Sequence, residues 1–201
     1  MPPRKHQELL TTAIEREEQA QRQLLGGDLD SARAEFAAAA ELYRQSWEAA
    51  HARAFGRIVG MLKAAVLAGG GAVEAKYARA ALGDLDPESS TASYAQALAA
   101  LILGEDHEAG VWAARMGAGD STGADAFVRT GEAVAAIASR DGEMYAVAVA
   151  AIVHDFEQRS EHLTGVAIAD TALMLEALAA RRGMALAIDS PVLPVRPDPP
   201  S

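Results

Sequence analysis

LLGGDLDSARAEFAAAAELY, residues Leu24 to Tyr43, places two adjacent glycines inside a chain otherwise rich in alanine and leucine. Upstream, Arg4 to Leu25 contains no helix breaker, and Leu9, Leu10, Ala13, Ala20, Leu24 and Leu25 form an imperfect helical stripe. Gly26 and Gly27 end that helix. Asp28 or Asp30 is then placed to accept from the free amides of the next one, and strong helix formers follow. The stretch reads as the turn of a helical hairpin.

The layout recurs. Gly27 stands five residues before Ala32, Gly70 five before Ala75, Gly104 five before Ala109, and Asp141 five before Ala146. The starting positions are separated by 43, 34 and 37 residues, the range in which each unit is one hairpin stacked on the next. Looser breaks alternate with these turns, near Ser46 and at 83–91, 117–125 and 160–165. The expected helices are 4–25, 29–44, 47–68, 72–82, 91–103, 106–116, 122–139, 142–160 and 165–182. The last, apolar around much of its circumference and closed by Arg181, Arg182 and Gly183, is expected to cap the exposed end of the stack.

Composition agrees with an all-α class. Half of the 201 residues are hydrophobic but only 5% are aromatic, so a core of Ala, Leu and Val must bring backbones close together, as helix-on-helix packing does. A formal charge of −10 disfavours nucleic acid, because phosphate would be repelled. The chain has no cysteine, which removes disulfides and thiolate chemistry and fits a reducing cytoplasm. The basic N-terminus lacks the apolar stretch of a secretory signal, and Tyr145 to Val153, the most apolar run, is about half of what a membrane span needs. A cytoplasmic protein with neither a nucleic-acid nor a membrane partner is expected.

GDLDSARAEFAAAA resembles the second half of a tetratricopeptide repeat, with the turn glycine at Gly27, a small close-packing residue at Ala32, an aromatic at Phe36 and a further small residue at Ala39. ALAALILGEDHEAGVWAA is similar, with Ala97 seven residues before Gly104 and Ala109 after it. Two hairpins match well and two poorly, no proline closes the units, and the spacing drifts from the family's period. The resemblance implies stacked antiparallel hairpins forming a solenoid over 1–183, followed by a Pro-rich extended tail over 184–201; the alternative is a non-repeating helical bundle. It further implies a concave groove lined by the first helix of each hairpin, here Glu17, Gln21, Arg57, Thr91, Tyr94, Leu98 and Ile102, that binds a partner protein or an apolar helical segment without catalysis.

Other motifs are weaker. Glu48 and His51 have Glu-x-x-His spacing, but a di-iron site needs a second copy and none exists. His154, Glu157 and Glu161 share a helix face without matching a zincin pattern, and His107 follows a turn glycine among ordinary first-turn acids. GAGDSTG at 117–123 lacks the spacing and the preceding strand of a nucleotide loop. No metal or cofactor is expected. Trp47, Tyr94 and Tyr145 are the aromatics expected to be partly exposed. Two rivals to the groove remain: an acidic inhibitor of a basic enzyme, which requires Asp28, Asp30, Glu105, Asp106, Glu108, Asp141 and Glu143 to form one patch, and an enzyme with a pocket near His154. In the tail, Asp189 to Val195 is expected to dock through Val192 and Leu193, while Asp198 to Ser201 has nothing to bury.

Overall fold

The computed structural model describes residues 4–51, 53–83, 89–117 and 124–194. It is all-helical among these. Four antiparallel hairpins follow one another: α1 (Lys5–Leu25) with α2 (Leu29–Glu48), α3 (Gly56–Leu67) with α4 (Ala72–Leu82), α5 (Ser90–Leu103) with α6 (Asp106–Met116), and α7 (Ala124–Ser139) with α8 (Gly142–Glu157). A ninth helix, α9 (Asp170–Ala180), closes the order. Of the expected loop at 117–123, residues 118–123 lie outside the described residues, as do 84–88 of the break at 83–91 and the tail from Val195 onward.

The tight turns share one closure. At each, a residue in the left-handed region ends the first helix, and the following amide donates to the carbonyl five residues back: Asp28 to Gln23, Gly70 to Ala65, Glu105 to Ala100, and Asp141 to Ala136. The left-handed residues are Gly27, Gly69, Gly104 and, in the fourth turn, Arg140 at φ 58°. The small residues at the crossings, Ala32, Ala75 and Ala109, are buried. In the fourth hairpin the register differs by one from the sequence expectation. Asp141 is itself the cap, accepting from the Met144 amide at 3.0 Å, so Tyr145 takes the buried position while Ala146 stays half-buried.

Arg140 therefore holds a conformation that a Cβ disfavours by about 1–2 kcal/mol. Its exposed ion pair with Asp106, at 3.6 Å, returns little. Arg140→Gly is expected to raise the unfolding free energy by about 1 kcal/mol, read as a higher urea midpoint at unchanged slope.

The break expected near Ser46 lies further on. α2 continues to Glu48, with Ser46 and Trp47 buried on it and Arg44 bridging Glu41 and Glu48, and α3 begins only at Gly56. α2 and α3 approach closely at Gly60, where a Cβ would stand 2.8 Å from the Tyr43 ring.

Sequential helices pack on one another, and α3, α5 and α7 also touch across the hairpins, forming an inner layer. α9 corrects the expectation of an end cap. It lies against α3, α7 and α8, across the inner layer, burying Ala172, Met174, Leu175, Leu178 and Ala179. Polar contacts hold both of its ends: Asp170 meets Lys63 at 2.5 Å, Arg182 donates to Asp106 and to the Leu101 carbonyl, and Arg181 donates to the Gly70 carbonyl. An irregular segment precedes it, from Gln158 to Ala169.

From Met184 to Ser190 the chain carries no helix and alternates side chains inward, with Met184, Leu186 and Ile188 half-buried; a turn closed by the Leu193 amide on the Ser190 carbonyl follows, with Val192 buried and Leu193 packed on the core. The Val192 carbonyl accepts from the Ala169 amide at 2.8 Å, and Ser190 donates to Glu157 at 2.7 Å. The docking expected of Val192 and Leu193 is present, and it begins earlier than expected, at Met184. This segment belongs to the same body as the helices.

Candidate functional site

A polar cluster sits where α1, α2, α3 and α9 meet. Period-four spacing places Glu17 and Gln21 on the inward stripe of α1, where both are buried. Lys63 of α3 lies between two carboxylates, 2.9 Å from Glu17 and 2.5 Å from Asp170. The Tyr43 hydroxyl donates to Glu17 at 2.6 Å. Gln21 completes the ring, its amide nitrogen donating to Asp170 at 3.3 Å and its oxygen accepting from Thr164 at 2.5 Å. Each buried charge is thus paired and hydrogen-bonded, which a low-dielectric interior requires. Burial opposes the Lys63 charge, but the carboxylates of Asp170 and Glu17 outweigh it and raise its ionisation well above the usual lysine value. Burial, reinforced by Glu17, holds the Tyr43 phenol well above its usual value too.

Two cavities adjoin this cluster and share Phe156, Arg159 and Thr171 as walls. One, about 180 Å³, is floored by Lys63, Asp170, Gln21 and Thr164. The other, about 150 Å³, opens between α5, α7, α8 and α9 and is lined by Tyr94, Phe127, Arg129, Thr130, Ile152 and Asp155 as well. At its rim Arg129 donates to Asp155 at 2.8 Å, while Arg159 donates to the same carboxylate at 2.5 Å and lies 3.8 Å over the Phe156 ring. Tyr94 packs edge-on against Phe127, with ring centres 6.2 Å apart. Burial pushes its phenol well above the usual value, with the nearby Lys63 charge opposing and Asp170 adding to the shift.

The seven residues expected to line one open groove are divided. Glu17 and Gln21 belong to the buried cluster, Leu98 is fully enclosed, and Ile102 is buried; α9 occupies the face they were expected to expose. Tyr94 reaches the 150 Å³ cavity. Arg57 and Thr91 are elsewhere, half-buried around a shallow surface depression with Leu10 and Ser89. There Arg57 donates to Ser46 at 2.8 Å, and Ser46 donates to the His6 carbonyl.

Trp47, Tyr94 and Tyr145 are buried rather than partly exposed. Trp47 stacks on Phe55, and the Tyr145 hydroxyl donates to the buried Glu176 at 2.6 Å. Glu48 and His51 do not share a helix face because α2 ends between them. His154 is exposed beside Glu157, and Glu161 falls beyond the end of α8. The pocket on α8 uses the opposite face, through Ile152, Asp155, Phe156 and Arg159. No three His, Asp or Glu side chains converge as a metal group among the described residues. Six of the seven turn acids have a partner in the fold, and Glu143 is exposed. Asp28 and Asp141 cap helices, Asp30 lies 4.0 Å from Arg33, Glu105 and Glu108 pair with Arg79, and Asp106 pairs with Arg140 and Arg182. No helix among the described residues is long and apolar enough to cross a membrane.

The signal missed in the sequence is Lys63, the one charged residue on α3 after Arg57, set among apolar neighbours and so needing a buried counter-charge from elsewhere in the chain. Comparison with protein-family models, with curated proteins and with solved structures finds no match to this chain.

Proposed function

We propose that this chain is a non-enzymatic interaction protein whose inner layer binds an apolar helix of a partner, and that α9 holds that place until the partner arrives. The observation that carries the reading is the position of α9. The layer formed by α3, α5 and α7 already accommodates a helix, through the apolar side chains Met174, Leu175 and Leu178. Recognition of a partner helix uses the same physics of apolar anchors at helical spacing. Irregular segments on either side allow α9 to leave as a unit while the hairpins stay folded. The tetratricopeptide-like reading of the hairpins and a cytoplasmic location belong to the same proposal.

Native-state amide exchange tests it without knowledge of the partner. α9 is expected to open sub-globally, exchanging at a lower free energy than α5. Weakening both ends with Asp170→Asn and Arg182→Ala should speed exchange in α9 and leave α4, which neither side chain touches, unchanged. If α9 exchanges only with global unfolding, in step with α5, the inner face is never available and the reading falls.

A further inference from the structure

The 150 Å³ cavity between α5, α7, α8 and α9 has no role in the reading above, and its chemistry is specific. Apolar walls are supplied by Phe127, Ile152 and Phe156. The volume, about 150 Å³, is enough for one benzene-sized ring against these walls. At the rim, two guanidinium groups answer one carboxylate, Asp155, so donors and positive charge are left over on Arg129 and Arg159. Tyr94 also lines the cavity, and its hydroxyl makes no hydrogen bond to another described residue. Tyr43 and Tyr145, the other deeply buried tyrosines, each donate to a glutamate.

We propose that this cavity is a binding site for a small aromatic monocarboxylate. The ring fills the space against Phe127 and Ile152. The carboxylate takes the spare donors of Arg129 and Arg159, and the Tyr94 hydroxyl donates a further bond to it. A monoanion fits better than a phosphate dianion, because the adjoining cluster sets two carboxylates, Glu17 and Asp170, against the single Lys63. Thr171, on the first turn of α9, forms part of the wall, so an occupied cavity also ties α9 to α7 and α8. The site does not depend on any displacement of α9.

The test is titration calorimetry of the full chain with phenylacetate, and with phenylacetamide as its neutral isostere. Phenylacetate should bind saturably at one site and raise the thermal midpoint, with the amide at least about tenfold weaker. Arg159→Gln should weaken phenylacetate by about tenfold. Tyr94→Phe should weaken it by about fivefold while leaving the ligand-free midpoint unchanged or higher, because there is no internal bond to lose. The last readout separates a ligand-binding hydroxyl from a structural one. Absence of saturable phenylacetate binding overturns the proposal, as does equal binding of the amide, or a Tyr94→Phe variant that melts lower and binds unchanged.

Discussion

Lys63→Met is expected to lower the unfolding free energy by about 3–5 kcal/mol, because it leaves Glu17 and Asp170 buried with no cation between them. Methionine keeps the length and the apolar stem, so lost packing is a minor part of the effect. The charge origin can be isolated by removing all three charges together. A triple variant, Glu17→Gln, Lys63→Met and Asp170→Asn, should be more stable than Lys63→Met alone, since neutral groups no longer require a counter-ion. Urea unfolding of the wild type, the single variant and the triple variant reads both effects. A loss below about 1 kcal/mol in the single variant would mean that water reaches the cluster freely.

The same cluster fixes the sign of the alkaline response. Lys63 and Tyr43 both ionise well above their usual values in the folded chain. Each therefore keeps its proton in the native state after the unfolded state has lost it. Below the unfolded values, near pH 10, their contribution is complete; as pH rises beyond that, stability declines towards the higher folded values. Wild-type urea midpoints should accordingly fall with rising pH above about 10.

Leu98→Ala should cost about 2–5 kcal/mol, the range for a leucine truncated inside a packed core. The magnitude distinguishes two placements of one residue. A leucine lining an empty groove would lose little on truncation, whereas this one is fully enclosed in the inner layer beneath the rest of the fold. A measured loss near zero would contradict the packing of α9 over that layer.

The sequence made the hairpins legible because their determinants are local. A glycine in the left-handed region, a cap and a small residue at the crossing are each written within six residues, as Gly27, Asp28 and Ala32 show. The fourth turn was shifted by one because Arg140 performs a task usually given to glycine, and no residue-type rule marks it. The break after α2 was misplaced for a related reason. Nothing between Trp47 and Ala54 is a breaker, so residue type alone does not mark the end of the helix at Glu48. The tetratricopeptide resemblance singles out Glu17 and Gln21 as residues facing something, but not what they face. Their partners Tyr43, Lys63, Thr164 and Asp170 lie up to 149 residues away, beyond the reach of any periodicity. The apolar circumference of α9 likewise signalled burial without saying where.

That separation also orders events during synthesis. Each hairpin closes through neighbours in sequence and so forms rapidly as the chain emerges. The bonds joining Gln21 to Thr164 and Lys63 to Asp170 span 143 and 107 residues and cannot exist until synthesis has passed Thr164 and Asp170. Until then the apolar inner layer is finished but uncovered, on a polypeptide still attached to the ribosome. This interval is when the nascent chain is most prone to self-association and most in need of a chaperone, and a premature stop before Asp170 would make that exposure permanent.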